Sequence, residues 1–94
     1  MNLATRMKNI REVIGLDSIT VADSMHISPR AFQYMEQGFG NPRLDTLSRF
    51  CDALHVELNF LLATDVPVTQ DTVKRYATKT YSQFINDSKS QLIA

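Results

Sequence analysis

The sequence predicts an all-α protein, a bundle of five short helices followed by a C-terminal amphipathic helix. Two observations carry that expectation. Apolar residues recur at three- and four-residue steps along most of the chain, the spacing that lines one face of a helix with 3.6 residues per turn. Start and stop residues also punctuate those stretches. Asp17 and Ser28 stand where a side chain can cap a first turn, Pro29 follows where no N–H is required, and Gly38 stands where a left-handed residue closes a last turn.

The first helix is expected from Leu3, Met7, Ile10 and Ile14, which share one face. A second follows Asp17, with Val21, Ala22 and Met25 pointing inward and the small Ala22 permitting a close neighbour. The third spans 28–37 and has the densest start signal, Ile27-Ser28-Pro29, with Ile27 and Phe32 at the two positions of a hydrophobic staple. Phe32, Met35 and Glu36 fall on its inward side; Arg30, Gln33, Tyr34 and Gln37 fall on the other. Gly38-Phe39-Gly40-Asn41-Pro42-Arg43 reads as a loop, with Phe39 expected to pack back on the core. Helices at 44–54 and about 58–63 then close the bundle through Leu47, Phe50, Leu54, Val56, Leu58, Leu61 and Leu62.

From Asp65 the pattern changes. Residues 65–70 read as a linker, because Pro67 rules out a continuous helix. Beyond it, Val73, Tyr76, Ala77, Tyr81, Phe84 and Ile85 form a stripe on an amphipathic helix at about 71–88. That stripe either folds back on its own domain or pairs with a second copy, and the expectation is a homodimer. The domain division is therefore 1–64 for the bundle and 65–94 for the linker and dimerisation element.

Arg, Gln and Tyr on an outward helix face have the chemistry of a DNA probe. Arg pairs bidentately with guanine, Gln pairs with adenine, and Tyr can donate to a phosphate. A solvated surface helix shows the same polarity, so the ordered context matters. That context is Leu3, Arg6, Met7, Ile10, Arg11, then Gly15-Leu16, Val21-Ala22, Met25 with Ile27-Ser28, Phe32 with Met35-Glu36 and Gly38, Asn41-Pro42, Leu44, Leu47, and the run from Ala53 to Leu62. Over these residues the chain resembles the lambda-repressor-like (Cro/CI-type) helix-turn-helix family of bacterial and phage transcription regulators.

The resemblance implies a cytoplasmic regulator, a repressor that binds double-stranded DNA as a homodimer. It implies DNA contacts from Ser28, Arg30, Ala31, Gln33 and Tyr34 on the third helix, and from Asn41 and Arg43 in the loop after it. Ser18 stands where the family usually has a longer Gln facing phosphate, which puts that contact in question. Arg11 and Glu36 correspond to an ion pair tying the first helix to the third, a structural role. His26 and His55 stand at turn positions where the family usually has Gly, and His tolerates a left-handed backbone. A competing expectation is a protein-interaction module, such as an antitoxin or anti-repressor partner that uses the tail to mask another protein.

Composition narrows the classes without choosing among them. Ten basic and ten acidic residues leave no net charge, so any binding to nucleic acid depends on segregated charge. Arg6, Lys8 and Arg11 in an acid-free opening, with Arg30 and Arg43, against Asp52, Glu57, Asp65 and Asp71 later, predict such segregation. The single Cys51 argues against a disulfide framework and reads as a buried small hydrophobe in a reducing compartment. No run has the length of a membrane span, and the opening lacks the apolar core of a signal peptide. No catalytic triad, phosphate loop or metal-ligand cluster appears, so neither enzymatic activity nor a metal or other cofactor is expected.

Overall fold

The computed structural model describes residues 2–78, and its architecture follows from how each helix begins and ends. Six helices occur among the described residues: α1 (Leu3–Ile14), α2 (Ser18–Ser24), α3 (Pro29–Glu36), α4 (Leu44–Leu54), α5 (Leu58–Leu62) and α6 (Gln70–Arg75). Side chains close four of the N-termini. Asn2, Asp17, Ser28 and Thr69 each accept the backbone N–H three residues on, supplying a partner that the first helical turn lacks.

The C-termini of the first four helices share one device. Gly15, His26, Gly38 and His55 all take a left-handed backbone, with φ of 90°, 59°, 89° and 57°. The residue after each then donates its N–H back into the helix: Leu16 to Arg11, Ile27 to Ala22, Phe39 to Tyr34 and Val56 to Cys51, at 3.1–3.2 Å. This is a Schellman closure, and two histidines occupy the place glycine usually takes. Both had been expected there from their turn positions.

The helices enclose one core. Met7, Ile10, Val21, Ala22, Met25, Phe32, Phe50, Phe60 and Leu61 are essentially sealed from solvent. Phe32 stacks on Phe50 with ring centroids 6.1 Å apart, which fixes α3 to α4. Leu62, expected in the core, instead lies 46% exposed at the end of α5.

Three expectations fail where tertiary contacts intervene. Arg6, read as part of a basic surface, is fully buried. Its guanidinium donates to the carbonyls of Phe60, Val66 and, at 2.9 Å, Leu61, and it lies 5.1 Å from the Phe60 ring centroid. It therefore holds the end of α5 and the chain after it, and burial lowers its pKa from the ordinary value while nearby Asp65 opposes the shift. Second, residues 65–78 are no separate unit. Val66, Val68 and Tyr76 pack on the core, Val73 is buried within it, and Tyr76 stacks on Phe60 at 5.0 Å. The boundary expected at residue 64 runs through one packed body.

Third, the amphipathic helix expected at about 71–88 ends at Arg75 among the described residues, and its remainder from 79 to 88 lies outside them. The chain then turns into an isolated antiparallel bridge between Val56 and Ala77. Glu57 N–H donates to the Tyr76 carbonyl at 2.9 Å, and Thr78 N–H donates to the His55 carbonyl at 2.8 Å. Two residues expected to pair with a second copy, Val73 and Tyr76, are thus covered by their own chain, and Ala77 is half-buried beside Val56. Tyr81, Phe84 and Ile85 lie outside the described residues.

Candidate nucleic-acid interface

The outer face of α3 is built by anchoring its inner face. Ser28 Oγ accepts the Ala31 N–H at 3.1 Å, and Pro29 opens the helix with its fixed φ. Phe32 is buried, Met35 and Glu36 are half-buried, and every other position from Ser28 to Gln37 is exposed. Ser28, Arg30, Ala31, Gln33, Tyr34 and Gln37 consequently form one open strip. The opposition of the two faces is the one the 3.6-residue period dictates.

Glu36 would be costly on the inward side without a partner. It has one in Arg11, whose Nε donates to Glu36 Oε2 at 2.7 Å and whose second guanidinium nitrogen reaches Oε1 at 3.1 Å. Arg11 also donates to the Leu16 carbonyl at 2.8 Å, so one guanidinium holds α1, α3 and the turn before α2. The hydrogen bond to Glu36 raises the Arg11 pKa further above its ordinary value, against the desolvation of the site.

Two open grooves flank the strip. One is bordered by Lys8, Ser18, Gln33 and Gln37, with the Arg11–Glu36 pair at its base. The other, of about 580 Å³, runs between α3 and the loop after it, past Arg30, Tyr34, Phe39, Gly40 and Asn41. Among the described residues Glu36 is the only carboxylate bordering either groove, and Arg11 neutralises it. Asp52, Glu57, Asp65 and Asp71 are exposed and border neither.

Of the residues expected to contact DNA, Ser28, Arg30, Ala31, Tyr34 and Asn41 border the larger groove, and Ser18 and Gln33 border the other. Ser18 is half-buried at the start of α2, on the groove that Gln33 shares. Arg43 is exposed at the start of α4, where it provides no side-chain cap. Lys8 was legible only as one basic residue among three, and the structure separates it from Arg6 and Arg11 by leaving it exposed on the groove. Phe39 is a correction. Expected in the core, it is 53% exposed and stacks on Tyr34 at 5.2 Å, because the Schellman closure of α3 turns it back along the helix.

Among the described residues no group of three or more His, Cys, Asp or Glu side chains is placed to hold a metal ion, and no helix is long and apolar enough to cross a membrane. Cys51 is buried in α4, and desolvation pushes its thiol up to about 12. Comparison of the chain with protein-family models, with curated proteins and with solved structures finds no match.

Proposed function

We propose that this protein is a sequence-specific DNA-binding transcriptional regulator of the lambda-repressor-like, helix-turn-helix kind, with α2 and α3 as the two helices of the motif and α3 as the one that enters the major groove. A single observation carries the reading. The polar strip of α3 is open to solvent while its opposite side is locked by Phe32 and by the Arg11–Glu36 pair. A rigid helix that offers Arg30, Gln33 and Tyr34 outward can reach base edges in a groove about 12 Å wide.

In this reading Arg30 pairs with guanine, and Gln33 pairs with adenine or supports the backbone contact. Ser28 and Ala31 approach the bases closely because they are small. Ser18, Lys8, Asn41 and Arg43 meet phosphates on either side and set the register. Regulation is repression by occupancy of a palindromic operator, with two copies related by a two-fold axis and half-sites about one helical turn apart. With Val73 and Tyr76 committed to the core, pairing through the tail falls to residues 79–94.

Fluorescence anisotropy tests the reading, using duplexes from upstream of the protein's own gene and duplexes selected from a randomised pool. Arg30→Ala and Tyr34→Ala should each weaken binding by about 1–3 kcal/mol with an unchanged circular dichroism spectrum. An unaltered affinity removes that residue from the site. Failure of the wild type to prefer any duplex overturns the proposal.

A further inference from the structure

One feature of the α3 surface is not accounted for by hydrogen-bond readout. Tyr34 and Phe39 are 55% and 53% exposed, yet their rings stack on one another at 5.2 Å with 29° between their planes. The Schellman closure of α3 brings these two positions together, and an aliphatic pair would satisfy that closure without exposing two rings. Gly40, left-handed at φ 72°, then passes beside Tyr34 with no side chain to cover it. A Cβ there would lie 3.5 Å from Tyr34 Cε1. The backbone thus leaves the aromatic step open at the mouth of the larger groove.

The surroundings select what fits. Among the described residues no carboxylate borders this groove, Arg30 stands on its rim, and Asn41 faces it from the loop, which favours a polyanion with a small apolar feature. Two half-exposed rings offer on the order of 200 Å² of apolar surface. A stable protein partner needs about 800 Å² on each side. In the major groove, the apolar feature that distinguishes one base pair from the others is the thymine C5-methyl group.

We infer that the stacked Tyr34–Phe39 pair is an apolar reading site for a thymine C5-methyl group, beside the bases contacted by Arg30 and Gln33. The inference rests on the DNA-binding reading above. Tyr34 contributes its ring rather than its hydroxyl, and Phe39 extends the readout one step beyond the helix.

The test uses the full chain and a duplex selected from a randomised pool, in which deoxyuridine replaces thymine at one position at a time. Burial of one methyl group corresponds to about a fourfold change in affinity. Wild type should lose about that factor at one thymine per half-site, and Tyr34→Phe should lose it too. Phe39→Ala should bind the thymine and deoxyuridine duplexes equally, while Phe39→Leu should keep part of the difference. Circular dichroism shows whether each variant folds, and Phe39 touches enough solvent for its removal to be tolerated. Equal affinity of wild type for every deoxyuridine duplex overturns the methyl site but leaves DNA binding standing. A penalty that persists in folded Phe39→Ala also overturns it. A Phe39→Ala variant whose mass in solution changes, with no loss of thymine preference, assigns the rings to contact between copies. Absence of selective binding by wild type to any duplex removes both readings together.

Discussion

Arg6 and Arg11 lie on the same helix, in the same acid-free stretch, and do different work. Arg6 neutralises carbonyl dipoles inside the core, whereas Arg11 neutralises a carboxylate at the base of the α3 surface. With side chains only 13% and 8% exposed, the Arg11–Glu36 pair is sheltered enough for its loss to matter. Glu36→Gln should cost about 2–3 kcal/mol in urea unfolding, less than the roughly 3–5 kcal/mol for breaking a fully buried pair, because Arg11 keeps the Leu16 carbonyl. DNA affinity should fall only as the folded fraction falls. A stable Glu36→Gln protein with weakened binding would place Glu36 in the contact itself. Asp17 is the acid-sensitive cap. Its bond from Thr20 N–H, at 2.7 Å, lowers its pKa from the ordinary aspartate value of 3.8. A depressed folded value means that the contribution is complete above the unfolded pKa and is lost as pH falls through the folded one. Asp17→Asn, which caps without a charge, should flatten that part of the stability curve below about pH 4; an identical curve in both proteins would assign the acid sensitivity elsewhere.

At the scale of elements, the joint between α2 and α3 depends on His26, whose left-handed φ of 59° closes α2 and aims Ile27 at the core. A Cβ in that region costs roughly 1–2 kcal/mol, part of which glycine gives back as unfolded-state entropy. His26→Gly should therefore raise stability by about 0.5–1 kcal/mol, measured by thermal unfolding. A loss would mean that the imidazole makes a contribution larger than the backbone relief. The same closure explains Phe39. Gly38 at the end of α3 reverses the chain, so the next residue lies along the helix just left and cannot reach the core. The Thr69–Thr72 capping box and the Thr72 hydroxyl bond to the Pro67 carbonyl, at 2.7 Å, begin α6 securely. Its end is set by pairing with the strand-like turn after α4, which takes Ala77 out of helical geometry.

At the scale of the whole molecule, the segment from Val66 to Tyr76 completes the core. Deleting residues 65–94 should uncover Phe60 and strip Arg6 of its Val66 acceptor, lowering the melting temperature by many degrees; a 1–64 chain that melts like the full protein would restore the boundary expected from the sequence. Charge also belongs to this scale. With Arg6 buried and Arg11 paired, Lys8 and Arg30 border the grooves beside α3 and Arg43 is exposed at the start of α4, a modest field on a protein without net charge. The salt dependence of DNA affinity should accordingly be shallow, and Lys8→Gln or Arg43→Gln should each reduce its slope by about one. Slopes that stay equal would show that neither cation displaces a counterion from phosphate.

Caps, turns and helix faces were legible in the sequence because they depend on neighbours within a few residues. Asp17, Ser28, Gly38 and both histidines declare their geometry locally, and the polar strip of α3 follows from periodicity once Phe32 is placed inward. The Arg11–Glu36 pair lay at the limit, visible only because an inward carboxylate demands a partner. Arg6, Phe39, Tyr76 and the end of α6 were decided by tertiary structure. Whether a cation is dissolved or buried, and whether a stripe meets its own core or another chain, depends on carbonyls and rings more than fifty positions away for Arg6 and brought close only by folding. Amphipathic spacing states that a face must be covered, and only the packed molecule determines by what.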